Sequence, residues 1–284
     1  MDALITTQEL AGRLGDPSLR IYDCTTLLHP QPDGRMRVET GRAGYLERGH
    51  IPGAALIELQ ADLSDNASAL RFTMPAPDAL ARMAAAKGIG EDTEVVLYCD
   101  GAAWWATRVW WMLRVIGFDR ARLLDGGLRK WIAEGRPLET AARAYPPATL
   151  AARPRAGLFV GKDEILAALD RTDTTVVNCL TEAQHRGEGT HYGRPGHIAG
   201  SVNVPAAALF AADGTFLPPD ALAAKFADRG IVAGKRVLAY CGGGIAATGD
   251  AFALTALLGR EGVAVYDASL QEWATDPSLP MATA

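Results

Sequence analysis

Residues 236–246 read Arg-Val-Leu-Ala-Tyr-Cys-Gly-Gly-Gly-Ile-Ala. The run before the cysteine is short, apolar and rich in strand formers, which predicts a buried β-strand. The apolar pattern of residues 245–258 ends at Gly259, as expected of a helix with a glycine C-cap. A strand that passes through a glycine loop into a helix is typical of an open α/β sheet, in which ligands bind at the carboxyl ends of the strands.

The same arrangement occurs twice. Tyr98-Cys99 and Tyr240-Cys241 are 142 residues apart. That shift also relates four further pairs: Gly117 and Gly259, Asp125 and Asp267, Leu128 and Leu270, Trp131 and Trp273. Residues 49–53 (Gly-His-Ile-Pro-Gly) likewise match residues 196–200 (Gly-His-Ile-Ala-Gly). Ordered matches of this kind predict a tandem duplication.

Each copy alternates strand and helix patterns. The predicted strands cover residues 19–23, 95–98, 175–178 and 237–240, and helical patterns cover residues 77–87, 103–116, 219–229 and 245–258. This alternation predicts an α/β fold, in which each copy is a mostly parallel sheet with helices on both faces. Residues 137–157 are rich in Pro, Ala and Arg, which is typical of a linker. We predict copy one over residues 1–140, a linker over 141–154 and copy two over 155–284.

Composition narrows the possible functions. The chain has 284 residues, 49% hydrophobic and 21% charged, with a formal net charge of -5. These values exclude a disordered chain and argue against binding to nucleic acid through phosphate neutralisation. No signal peptide and no membrane-spanning apolar run is recognised, so we expect a cytoplasmic protein without membrane contact. The spacing of the four cysteines fits neither a disulfide framework nor a metal site.

Cys241 is the candidate catalytic residue. Three consecutive glycines allow a tight loop whose backbone N–H groups point inward, and such a nest at a helix start attracts an anion. The Cys241 thiolate would be that anion, and a thiolate at neutral pH is a nucleophile. We predict that the cradling loop consists of Gly242, Gly243, Gly244, Ile245, Ala246 and Ala247.

Copy one serves as an internal control. Cys99 is followed by Asp100, which would disfavour a thiolate, and by Trp104 and Trp105, which we expect to fill the cradle. We therefore predict that copy one is inactive. Cys24 and Cys179 follow strands without a glycine loop and are interpreted as packing residues.

Two other chemistries fit less well. The pattern Gly242-x-Gly244-x-x-Ala247 with Asp267 matches a dinucleotide fingerprint, but copy one keeps the aspartate without the glycines. A cysteine phosphatase would need an arginine at the position of Ala247.

These residues resemble the tandem rhodanese-type sulfurtransferases, the thiosulfate and 3-mercaptopyruvate enzymes. The resemblance rests on residues 49–54, 62–65, 108–112 and 124–131 in copy one, and on residues 196–198, 203–205, the Cys241 loop and residues 266–273 in copy two. It implies two tandem rhodanese-like domains, of which only the second is active. It also implies that a Cys241 persulfide passes sulfur from a small anionic donor to cyanide or a thiol, with a thioredoxin-like protein as one candidate acceptor, and that no cofactor or metal is needed.

The donor is less clearly indicated. The family usually carries two arginines after the first strand of copy two, where this chain has Leu180 and Gln184. Arg186 and Arg194 are candidate replacements, and His50 matches a family position that approaches the site from the other domain. The loop lacks both the basic residue of the thiosulfate type and the hydroxyls of the mercaptopyruvate type. A sulfur carrier or regulatory module of the same fold, with little turnover, remains the alternative.

Overall fold

The computed structural model describes residues 2–31, 36–189 and 192–283. The strands of copy one are β1 (Leu4–Ile5), β2 (Leu19–Asp23), β3 (Thr26–Pro30), β4 (Met36–Thr40), β5 (Ala55–Leu56), β6 (Glu94–Tyr98) and β7 (Ala121–Leu124). Those of copy two are β8 (Phe159–Val160), β9 (Thr174–Asn178), β10 (His197–Ile198), β11 (Val202–Asn203), β12 (Arg236–Tyr240), β13 (Val263–Tyr266) and β14 (Met281–Ala282). All four predicted strands are present.

Each copy contains a five-stranded parallel sheet. The strand orders are β1-β7-β6-β2-β5 and β8-β13-β12-β9-β11, so the two sheets have the same topology. Copy one adds the antiparallel hairpin β3-β4, and copy two adds the antiparallel pair β10-β14. The predicted α/β duplication is confirmed.

Helices flank both sheets. In copy one they are α1 (Thr7–Ala11), α2 (Arg42–Glu47), α3 (Leu59–Leu63), α4 (Pro77–Ala86), α5 (Trp104–Val115) and α6 (Gly127–Ala133). In copy two they are α7 (Lys162–Ala168), α8 (Glu182–His185), α9 (Pro219–Ala227), α10 (Ala247–Phe252) and α11 (Ser269–Trp273), with a 3₁₀ turn at Ala206–Leu209. The helix predicted over residues 245–258 begins later, at Ala247, and continues as a π-helix over Ala253–Leu257.

The two copies pack through α5 and α10. The hydroxyls of Thr107 and Thr248 lie 2.8 Å apart in a hydrogen bond, and Trp110 packs edge-on against Phe252 with ring centroids 4.8 Å apart. One apolar cluster runs through both copies around these helices. This packing brings the loop after Cys241 against copy one.

Residues 141–154 contain no helix or strand and run back over copy one. The Tyr145 hydroxyl donates to the carbonyl of Gly53 and accepts from the amide of Ile21. We propose that this segment is the linker between the copies. Within the described residues, no helix has the length and apolar character that crossing a membrane requires.

Candidate active site

A cavity of about 700 Å³ lies between the copies, at the carboxyl edge of the copy-two sheet. Copy one contributes apolar side chains from its β3-β4 hairpin and from the start of α5. Copy two contributes the ends of β9 and β12 and the glycine loop. The cavity is therefore formed jointly by the two copies.

Cys241 lies directly after β12 in the wall of this cavity and is 2% exposed. Hydrogen bonds hold both its backbone amide and its backbone carbonyl. The amide donates to the Ser269 hydroxyl at 3.1 Å, and the carbonyl accepts from the Leu270 amide at 3.1 Å. The predicted nucleophile thus faces a cavity large enough for a small substrate.

The loop presents free amides next to Cys241. Gly242, Gly243, Ile245 and Ala246 line the cavity, and their N–H groups have no acceptor among the residues described. Such amides, just ahead of α10, can bind an anion. Ala247 differs from the rest of the predicted loop, because it begins α10 and is buried in the core.

Two of the three glycines are sterically required. A Cβ on Gly242 would lie 1.9 Å from Cζ of Tyr192, whose ring covers the loop. Gly244 has a φ of +70°, and a Cβ there would lie 2.3 Å from the carbonyl oxygen of Asp267. Residues of copy two therefore surround the loop so closely that a side chain at Gly242 or Gly244 would not fit.

Ser269 organises the loop and was not found from the sequence. Its hydroxyl accepts from the amides of both Cys241 and Gly244 at 3.1 Å and donates to the carbonyl of Tyr266 at 2.7 Å. Its φ of +53° is unusual for a residue other than glycine. The 142-residue shift aligns Ser269 with Gly127, and this replacement was the available signal.

Arg108 connects the loop to copy one. It is completely buried in α5, and its guanidinium donates to the Gly244 carbonyl at 3.1 Å and to the Asp267 carboxylate at 2.5 Å. The Asp267 carboxylate also accepts from the Met74 amide at 2.8 Å. The shape of the glycine loop in copy two consequently depends on a side chain from copy one.

The structure does not bring Arg186 and Arg194 into the cavity lining. Arg186 is exposed and pairs with Glu188 at 3.0 Å. Arg194 donates to the carbonyl groups of Trp273, Ala274, Asp276 and Leu279. Four such bonds hold the chain after α11, which gives Arg194 a structural task.

His50 also lies away from the cavity lining. It is fully buried, its Nδ1 lies 2.8 Å from the Tyr45 carbonyl oxygen, and its ring stacks on Tyr45 at 3.7 Å. Its repeat partner His197 contacts His185 in the same way. The Nδ1 of His197 lies 2.7 Å from the His185 carbonyl oxygen, and the two stacked rings have centroids 3.7 Å apart. The duplicated histidines therefore share a structural environment.

Arg71 is a second residue that sequence reasoning missed. It is the one charged side chain among the described residues that line the cavity. Its backbone is held to copy two, because its amide donates to the Gln271 side chain and its carbonyl accepts from it at 2.9 Å. Leu180 and Gln184, at the places of the family arginines, also line the cavity. No sequence signal linked Arg71 to a loop so far along the chain.

The equivalent place in copy one is almost closed. The cavity beside Cys99 measures about 10 Å³. Burial, followed by the charge of Asp23, raises the pKa of the Cys99 thiol well above its ordinary value. The expectation that Trp104 and Trp105 fill this cradle is wrong, because both line the large cavity of copy two. The start of α5 points across the interface between the copies.

Comparison with known proteins agrees with this arrangement. The family model described as "Rhodanese-like domain" matches residues 6–134 and 162–276. A Pseudomonas aeruginosa protein named "Probable 3-mercaptopyruvate sulfurtransferase" is 34% identical, over 99% of this chain and 98% of its own length. The "Sulfur carrier protein TtuD" of Thermus thermophilus is 31% identical, over 99% of this chain and 96% of its own length.

A solved structure agrees as well. The crystal structure of SseA from Escherichia coli, described among the 3-mercaptopyruvate sulfotransferases, superposes with a TM-score of 0.83 at 30% identity, covering 95% of this chain and 99% of SseA. The chain belongs to the rhodanese-like family, with two copies of the domain. Within that family it is a sulfurtransferase, as the sequence predicted.

Proposed function

We propose that this sulfurtransferase moves a sulfane sulfur from a small anionic donor to cyanide or a thiol through a persulfide on Cys241. The observation that carries the proposal is the position of Cys241 in the wall of a cavity of about 700 Å³, beside four backbone amides that have no acceptor in the part of the chain that the structure describes. The cavity beside Cys99 in copy one measures only about 10 Å³, which supports Cys241 rather than Cys99 as the reacting thiol.

The reaction has two steps. The Cys241 thiolate attacks the transferable sulfur of the donor, the bond between that sulfur and the rest of the donor breaks, and its electron pair leaves with the remaining anion. This anion is sulfite when the donor is thiosulfate, and the enolate of pyruvate, which then takes up a proton, when the donor is 3-mercaptopyruvate. An acceptor then attacks the outer sulfur of the persulfide and releases the Cys241 thiolate. The loop amides stabilise the negative sulfur in both steps without having to reorganise.

We propose 3-mercaptopyruvate as the preferred donor, bound through its carboxylate by Arg71. The lining is mainly apolar, and Arg71 is the only cation that the described residues place there. Moving the dianion thiosulfate out of water beside one cation costs more than moving a monoanion. Arg71 lines the cavity and is exposed to solvent. We propose that an acceptor such as cyanide or the thiol of a thioredoxin-like protein enters at this side. Four free cysteines support a reducing, cytoplasmic setting.

A sulfur carrier with little turnover is the second candidate. It is favoured by the absence of arginine at Leu180 and Gln184 and by the similarity to TtuD. A carrier would hold the persulfide until a particular protein acceptor arrives.

The proposal is tested by comparing Cys241→Ser with Cys99→Ser. Each variant is incubated with 3-mercaptopyruvate or thiosulfate, and intact mass and thiocyanate production are measured. We expect Cys241→Ser to lose the added sulfur atom and at least about 10³-fold in rate, while Cys99→Ser stays close to wild type. Persulfide formation without repeated turnover would support the carrier, and no adduct from either donor would exclude both.

The role of Arg71 is resolved by the same assay. Arg71→Ala is expected to raise KM for 3-mercaptopyruvate about tenfold with little change in kcat, because it removes one charge-assisted contact. Arg48→Ala is the matched control, since Arg48 is an exposed arginine that pairs with Asp100 in copy one. A raised KM for Arg186→Ala instead of Arg71→Ala would restore the assignment made from the sequence.

A further inference from the structure

A second thiol lies beside the reactive cysteine. Cys179 follows β9 as Cys241 follows β12, and these neighbouring strands are parallel with Asn178 opposite Tyr240. The Cys179 amide continues the ladder by donating to the Tyr240 carbonyl at 2.8 Å. Both cysteines are 2% exposed and both line the cavity.

This register places the backbones of the two cysteines within the range that a disulfide requires. Neighbouring strands lie about 4.8 Å apart, and residues opposite each other in a parallel pair project from the same face. A disulfide requires Cα atoms about 4.4–6.8 Å apart. Cys179 and Cys241 therefore satisfy the backbone requirement for a bond between them.

Asp250 is an ionisable group close enough to Cys179 to influence its thiol. It is completely buried in α10, and neither of its carboxyl oxygens has a hydrogen-bond partner among the residues described. After desolvation by burial, Asp250 and then Cys241 have the largest influence on the Cys179 thiol, and together they raise its pKa well above the ordinary value. Burial also raises the pKa of Asp250, which makes its ionised form a stronger base.

We propose that Cys179 is a resolving thiol, which attacks Sγ of the Cys241 persulfide, forms a Cys179–Cys241 disulfide and releases the outer sulfur as hydrogen sulfide. The inference rests on the proposed Cys241 persulfide. The S–S bond of the persulfide breaks and its electron pair leaves with the outer sulfur. The proton of the Cys179 thiol passes to that sulfide, with the Asp250 carboxyl as the relay. Sulfide is the better leaving group, because a thiol of lower pKa leaves faster.

The disulfide is reset by a dithiol reductant. A dithiol reduces the Cys179–Cys241 bond to two thiols and is itself oxidised to a disulfide, so atoms and electrons balance. The acceptor for this route is consequently a dithiol of the thioredoxin class, whereas cyanide takes the sulfur directly.

Copy one contains a built-in control pair. Cys24 follows β2 and Cys99 follows β6, Asp23 lies opposite Tyr98, and the Cys24 amide donates to the Tyr98 carbonyl at 2.8 Å. The cavity beside Cys99 measures about 10 Å³, which is too small for a donor, so we expect no persulfide on this pair. Because this pair carries no persulfide, we expect the thiols of Cys24 and Cys99 to remain reduced.

The experiment uses the full chain after complete reduction and removal of the reductant. One equivalent of 3-mercaptopyruvate is added without an acceptor, free thiols are blocked at intervals, sulfide is measured, and tryptic peptides are analysed without reduction. We expect a transient persulfide on Cys241, then a bond between the peptides carrying Cys179 and Cys241 and about one equivalent of sulfide. Cys24→Ser should behave like wild type.

Cys179→Ser and Cys179→Ala should keep the persulfide and lose the sulfide release, and Asp250→Asn should slow the release without lowering persulfide yield. A wild-type persulfide that persists as long as that of Cys179→Ser would overturn the inference while leaving the proposed function intact. If no donor loads Cys241, the proposed function fails instead. Direct detection of the disulfide in wild type does not depend on the folding of any variant.

Discussion

The two copies have the same strand order, and each has a pair of cysteines at the ends of two neighbouring strands. Among the described residues, an open cavity adjoins the cysteine pair of copy two. The cavity beside Cys241 is about seventy times larger than the one beside Cys99. In copy one, Phe216 from copy two lines the small cavity beside Cys99. Asp100, the next residue in the chain, pairs with Arg48 at 2.7 Å and with Arg129 at 3.3 Å. The start of α5, the helix that follows Cys99, instead forms part of the wall of the cavity beside Cys241.

We expect the largest effect on the free energy of unfolding from a substitution at the contact between copy one and the glycine loop. Asp267 accepts from the Arg108 guanidinium and the Met74 amide. Its repeat partner Asp125 accepts from the Phe216 amide at 2.9 Å and forms no ion pair with another described residue. Asp267→Asn leaves a buried guanidinium without its counter-ion, so we expect a loss of about 3–5 kcal/mol in the free energy of unfolding.

Asp125→Asn is the matched change on the other side of the interface. Burial raises the pKa of Asp125, and an amide oxygen can still accept from Phe216, so the expected loss is below about 1 kcal/mol. Urea unfolding of both variants measures the difference. Equal losses would mean that the two sides of the interface are energetically equivalent, contrary to the comparison.

A substitution of Ser269 tests whether the hydrogen bonds of its hydroxyl distinguish the loop of copy two from that of copy one. Ser269→Gly restores the residue that copy one has as Gly127 and removes the acceptor for the amides of Cys241 and Gly244. We expect kcat to fall about tenfold to a hundredfold, because the loop loses two hydrogen bonds. Stability should change by less than about 1 kcal/mol, since glycine relieves the strain of a positive φ.

Ser278→Gly is the control for this substitution, because Ser278 is exposed in the same half of the chain. Steady-state kinetics and thermal unfolding are compared for both variants. Unchanged kcat in Ser269→Gly would show that Arg108 and the glycines alone shape the loop.

Much of this comparison could be predicted from the sequence. The strands and the glycine loop follow from local sequence patterns. The duplication follows because the chain repeats these patterns in the same order. Packing against distant parts of the chain did not change these elements. The contrast between Gly242 and Gly244 in one loop and Asp100 and Ala102 in the other also predicted which copy is open.

The rest depends on contacts between the copies, which local patterns do not encode. Trp104 and Trp105 were assigned to the wrong cavity because the direction of α5 is set by its packing on α10. Arg186 was a candidate because it is near Cys179 in sequence, but its side chain pairs with Glu188 at the surface. Arg71 reaches the cavity only because Gln271 holds its backbone to copy two.

The smallest expected effect concerns the repeated histidines. His50 stacks on Tyr45 of α2 in copy one, and His197 stacks on His185 of α8 in copy two. Burial, followed by the charge of His197, lowers the pKa of His185 to about 4. In the unfolded chain a histidine titrates near pH ~6.5, so between these values the unfolded state binds more protons. The contribution of His185 is therefore complete above pH ~6.5 and is lost as the pH falls toward 4.

We expect about 1 kcal/mol less stability at pH 5 than at pH 7 from this group, after allowing for its partial exposure to solvent. His185→Tyr gives copy two the ring that copy one already has and should remove this part of the pH dependence, while His29→Gln, at an exposed histidine, should not. Urea unfolding at pH 7, 6 and 5 measures the slope. An unchanged slope in His185→Tyr would mean that the stacked pair in copy two tolerates a proton, and the two copies would then be equivalent at this position.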